Sequence, residues 1–96
     1  MYSKVYWITT NAAQSAGLMS HYDSVAEPAI RDSDHHLSHQ MVEVQPGKWI
    51  LVSNYRSADA AEAAGPLVRD LVAAMSEGFG MTLEMIGEGE TIRKVS

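Results

Sequence analysis

The chain contains no cysteine. That excludes disulfides, thiolate catalysis and Cys-ligated zinc. It also lacks any cluster of Lys or Arg. Seven basic residues stand against twelve acidic ones, a formal charge of −5. The one basic pair, Arg93-Lys94, lies at the C-terminal end, so no patch is expected to bind nucleic acid. No apolar run approaches the ~20 residues that cross a bilayer, so no membrane partner is expected. The opening Met-Tyr-Ser-Lys-Val-Tyr-Trp-Ile has no basic segment leading a long apolar one, as a signal peptide would. A soluble, cytoplasmic protein is expected.

What is present is a globular composition, 46% hydrophobic and 20% charged over 96 residues. Residues 1–96 are read as a single domain with one small core. Residues 4–10, rich in β-branched and aromatic side chains, predict a first strand. Asn11 is a helix N-cap or turn residue. Leu18, Tyr22, Val25 and Ala29 recur at helical spacing and predict a helical region over 12–31. Pro28 lacks an N–H, so a kink or break is expected there. His36–Val44 and Trp49–Tyr55 predict two strands around a Pro46-Gly47 turn.

Ser57 is a good N-cap for a second helical region. Gly65-Pro66 interrupts it, with Pro66 placed to open a fresh helix. Leu67, Val68, Leu71, Val72 and Met75 form its apolar stripe, and Gly78 and Gly80 end it. Met81–Ile86 predicts a fourth strand. Gly87-Glu88-Gly89-Glu90 reads as a turn, and 91–95 as a short strand or tail.

The order βαββαβ is that of an α+β, ferredoxin-like domain: a four-stranded antiparallel sheet with both helical regions on one face. The other face should then be polar. It does not read so. Trp49, Leu51 and Tyr55 alternate with Ile50 and Val52. Tyr6 and Ile8 alternate with Val5 and Trp7. Met81, Leu83 and Met85 alternate with Thr82, Glu84 and Ile86. Two apolar faces predict a homodimer closed sheet to sheet.

The layout resembles the dimeric α/β-barrel superfamily, which includes antibiotic-biosynthesis-monooxygenase-like domains. Three features carry the resemblance: a βαββαβ chain near a hundred residues, a Pro-containing first helix from Tyr22 through Pro28 to Ile30, and the hairpin Trp49–Tyr55 running into Ser57-Ala58-Asp59-Ala60-Ala61. The superfamily includes cofactor-independent oxygenases of polycyclic aromatics, haem-degrading enzymes and isomerases. The Asn, Trp and His set of the haem-degrading branch has no match here, and no His lies in the second helical region. The resemblance therefore implies a cofactor-independent monooxygenase or isomerase acting on an aromatic or polyketide-like molecule. It places the cavity between sheet and helices.

Histidine titrates near neutrality and serves as base, acid or ligand. His36 and His39 are the candidate catalytic bases. Trp7, Tyr22, Trp49, Asn54 and Tyr55 are the candidate substrate contacts, with core or dimer packing as the plainer reading of the aromatics. On an extended strand His35 and His39 share a face but stand ~13 Å apart, and His36 points to the other face. No metal site is therefore assigned, and no cofactor. Two other readings stay open. One is a non-enzymatic small-ligand-binding or stress-associated homodimer of the same fold. The other is a His-cluster metal-binding protein.

Overall fold

Alternation of apolar residues in the first and third strands builds the centre of the sheet. The computed structural model describes residues 1–95. Strand β1 (Tyr2–Thr9) pairs antiparallel with β3 (Lys48–Tyr55) on one side and β4 (Thr82–Glu90) on the other; β2 (His36–Gln45) forms the edge beyond β3, giving the order β2-β3-β1-β4. This is the ferredoxin-like α+β arrangement that the element order predicts.

Local signals fix the connections. Asn11 accepts a hydrogen bond on its side-chain oxygen from the Gln14 N–H at 3.0 Å, opening a 3-10 turn over Ala12–Gln14. Helix α1 (Ser15–His21) follows, then one π-helical turn over Tyr22–Ala26, then α2 (Glu27–Arg31). The expected break at Pro28 does not occur. Pro28 sits in the first turn of α2, where its missing N–H costs little. The adjustment falls one turn earlier, where the Glu27 N–H reaches back to the Tyr22 carbonyl, five residues away.

The hairpin turn is Pro46-Gly47, as the sequence predicts, with Gly47 at φ 83°. A Cβ on Gly47 would lie 2.5 Å from the Thr10 carbonyl oxygen, so glycine is required there twice over. The Ser57 hydroxyl accepts from the Ala60 N–H at 3.1 Å and caps α3 (Ala58–Ala63). Helix α4 (Gly65–Phe79) starts at the Gly-Pro pair and runs through Gly78 to end on left-handed Gly80.

The predicted turn at 87–90 is corrected. These residues continue β4, paired with Tyr2–Val5 of β1, and 91–95 carry no regular structure. Pairing along the full length of β1 outweighs the poor strand propensity of two glycines.

The helices pack on one sheet face only. Ile8, Leu18, Ala26, Trp49, Met75 and Met81 form the main core, and Tyr55, Ala61 and Ala64 form a second cluster. Tyr6, Ile8, Trp49, Ser53 and Tyr55 are all less than a tenth exposed on that face. Strand alternation sends Val5, Trp7, Ile50 and Val52 to the opposite face. No helix among the described residues is long and apolar enough to cross a membrane.

Candidate active site

Two bulges decide which side chains enter the space under the helices. In β2 the register steps between His36 and Ser38, so that His36 stands opposite Tyr55 and His39 opposite Ser53. Leu37 is the extra residue. Simple alternation separates His36 from His39; the bulge puts both on the helix-facing side, corrects the expected opposition and brings the two candidate bases together. A second bulge in β4 leaves Ile86 extra between Met85 and Gly87.

Between sheet and helices lies an apolar cavity of about 50 Å³. Leu18, Tyr22, Ala26 and Ile30 line it from the first helical region, and Val68, Leu71, Val72 and Met75 from α4. Tyr6, His36, Ser53 and Tyr55 bring polar atoms from the sheet. A second, more polar hollow of about 290 Å³ adjoins it, lined by Glu27, Ile30, Arg31, His36, Leu37, Ser38 and His39. Ile30 and His36 belong to both. They form the neck between an outer vestibule and the inner cavity.

The π turn has a role here. It carries Tyr22 at its start and Ala26 at its end, and both line the cavity. The Tyr22 hydroxyl and His39 Nε2 are hydrogen-bonded, with the rings edge-on at 5.8 Å. A phenol is a stronger hydrogen-bond acid than a neutral imidazole, so the hydroxyl donates and His39 keeps its own proton on Nδ1. His36 instead leans on the Tyr55 ring, 4.6 Å between centroids. Its Nδ1 is buried and has no hydrogen-bond partner.

Burial lowers the pKa of His36, and the neighbouring His39 and His35 add to the effect. Burial also lowers that of His39, with the Glu27 carboxylate pulling the other way. Both imidazoles are therefore neutral at pH 7, the state a general base requires. The phenols move oppositely. Burial pushes Tyr6 and Tyr22 up to about 12, helped by Tyr55 and Glu88 for the first and by Glu27 and Asp23 for the second. Burial raises Tyr55 as well, against a hydrogen bond with Ser53. All three remain protonated donors. The site thus offers neutral bases and neutral hydroxyl donors on an apolar wall, with no Lys or Arg lining the inner cavity.

Of the residues expected from sequence to contact substrate, Tyr22 and Tyr55 line the cavity. Trp49 faces the same side but is 2% exposed, locked in the core with its Nε1 donating to Glu43 at 3.2 Å. Trp7 and Asn54 lie on the other face. The Lys48 ammonium stands over the Trp7 ring at 4.5 Å, and Asn54 is hydrogen-bonded to Ser3 and Ser38. Sequence reasoning missed Ser53, and counted Tyr6 among the aromatics of the sheet without singling it out as a substrate contact. Their strand parity, shared with Tyr55 and Ile8, is the signal that could have found them. Among the described residues no group of three or more His, Cys, Asp or Glu is placed to hold a metal ion.

The chain folds as a ferredoxin-like domain with an apolar cleft between sheet and helices, and solved structures share that fold. A candidate antibiotic biosynthesis monooxygenase from Deinococcus radiodurans superposes with a TM-score of 0.79 at 19% identity, over 100% of this chain and 97% of that one. SnoaB from Streptomyces nogalater, a cofactor-independent oxygenase, gives 0.71 at 12% identity, over 98% and 95%. A dimeric ferredoxin-like protein from an uncultured marine organism gives 0.76 at 8% identity, over 99% and 97%. At these identities the likeness establishes the fold. No protein-family model matches the chain, and no curated protein matches it in sequence.

Proposed function

We propose that the protein is a cofactor-independent monooxygenase of an aromatic or polyketide-like molecule. The observation that carries this reading is the apolar cavity with neutral His36 at its neck, neutral His39 in the adjoining hollow, and three protonated phenols around it. Together with the adjoining hollow of about 290 Å³, such a site offers a flat, electron-rich ring an apolar wall and a neutral base for its acidic proton. The resulting carbanion or enolate is itself the reductant for O₂. One oxygen atom enters the substrate carbon and the other leaves as water. The oxygenase SnoaB on the same fold supports the reading.

The working unit is proposed to be a homodimer. Val42 is over two-fifths exposed and stands opposite Ile50, in line with Val5, Trp7, Ile50 and Val52 on the uncovered sheet face. Closing that face against a second copy would bury apolar area at about 25 cal/mol per Å².

Oxygen uptake is the test. Purified protein, with no cofactor or metal added, is mixed with a panel of anthrones and naphthols in an oxygen electrode. Consumption above the protein-free rate, and a quinone product, support the proposal. Ring binding without uptake favours the second reading, a ligand-binding dimer.

A further inference from the structure

We propose that the inner cavity is a binding site for molecular oxygen, and that an aromatic ring stops outside it, in the vestibule. The gas site stands on the cavity's own size and lining; its use in turnover rests on the preceding reading.

Size separates the two spaces. About 10–15 Å³ holds one water-sized molecule, and a cavity that takes benzene measures about 150 Å³. The inner cavity, at about 50 Å³, is too small for a ring and large enough for a diatomic gas. The vestibule, at about 290 Å³, has the room that a ring needs.

The lining separates them as well. Aliphatic side chains and methionines make most of the inner wall, and four of the chain's six methionines, Met19, Met41, Met75 and Met81, stand on it. Thioethers are polarisable, and dispersion is the main attraction open to a guest without a dipole. Hydroxyls on the wall have partners already: Tyr22 is bonded to His39, and Tyr55 to Ser53. A water inside needs about two to four polar partners, so an apolar guest competes well for this space. Dioxygen is such a guest and leaves water for an apolar medium favourably. The vestibule instead offers Glu27, Arg31, Ser38 and His39, groups that suit the oxygen-bearing edge of a ring.

The two spaces meet at Ile30 and His36. A ring lying in the vestibule against that neck would have oxygen waiting at its inner edge. No bond forms or breaks in this step; the cavity concentrates the oxidant that the preceding reading consumes.

Oxygen is paramagnetic, so NMR can locate it without substrate or variant. Methyl signals are recorded under nitrogen and under pressurised oxygen. Ala26 and Ala64 are both 0% exposed, and only Ala26 lines the cavity. Met75 and Met81 line it at 7% and 2% exposure, whereas Met85 is 41% exposed and does not. A bound gas should relax Ala26 severalfold more than Ala64, and Met75 and Met81 severalfold more than Met85. Relaxation that follows exposure, or is equal at the two alanines, overturns the proposal and leaves the oxygenase reading standing. Val72→Phe puts a larger side chain on the cavity wall. With a ring from the oxygen-uptake panel, this variant should need severalfold more oxygen for half-maximal rate, with the ring's own requirement unchanged. An unchanged oxygen requirement in the folded variant marks the cavity as a packing void and also overturns the proposal. Should the variant not fold, the wild-type methyl pattern decides. Bound gas with no uptake from any ring keeps the site and removes the oxygenase reading.

Discussion

The two faces of the sheet are built from the same strands and differ in what covers them. Under the helices, Trp49, Tyr55 and Ile8 are at most 4% exposed, and a small apolar cavity remains between them. On the other face, Val5, Trp7, Ile50 and Val52 stand with no covering layer from their own chain. One face is finished by its own chain and holds the candidate site. The other is apolar without being finished, and holds Trp7 and Asn54, which the sequence alone would assign to substrate. An aromatic or amide side chain is thus no guide to function until its face is known.

Substitution of the two tryptophans sharpens this contrast most. Trp49→Ala should cost about 3–5 kcal/mol in urea denaturation, the range for emptying a large core site. Trp7→Ala should cost much less in a dissociated protomer; an equal loss in both would break the distinction between the faces. Next in size is the assembly. Ile50→Lys with Val52→Lys places two charges on the uncovered face, and light scattering at micromolar concentration should move from the mass of two chains to that of one. Far-ultraviolet circular dichroism should stay unchanged. If the wild type already scatters as a single chain, the homodimer proposal fails.

The pH dependence comes third. His36 and His39 have pKa values below the usual 6.5 when folded, chiefly through burial. The unfolded chain therefore binds more protons between the folded values and 6.5. The stabilisation is complete above 6.5 and is lost as pH falls through that window. The charged or titratable groups around the pair are His35, Glu27, Arg31, Tyr22 and Tyr55. Thermal midpoints should drop on acidification from pH 7 to 5. The double variant His36→Phe, His39→Gln should flatten that slope, whereas the open-face lysine variant should keep it. Smallest is Tyr22→Phe, which removes the bond to His39 and should cost about 1 kcal/mol.

Much of this fold is legible in the sequence where a residue acts through its own backbone. Asn11 and Ser57 cap, Pro46-Gly47 turns, and the period-2 pattern of β1 and β3 assigns each side chain to its face. What is not legible depends on a partner strand or on a defect in periodicity. Alternation predicts opposite faces for His36 and His39, and one extra residue, Leu37, reverses that. Gly87 and Gly89 look like a turn until β1 lies alongside. Pro28 signals an irregularity, but the helix absorbs it a turn upstream. The candidate site sits where these departures meet: Tyr22, Tyr55 and the histidines are readable one by one, Ser53 and Tyr6 only through their strand parity, and the meeting of the two histidines not at all.

The single wide turn over Tyr22–Ala26 amounts to one residue more than regular winding would use. Removing Ser24 would restore the ordinary pitch and swing everything beyond it by about 100° around the helix axis. Ile30 would leave the neck, or Tyr22 would let go of the edge strand. A change of one codon, far from either histidine in sequence, would then keep the fold and dismantle the wall of its cavity.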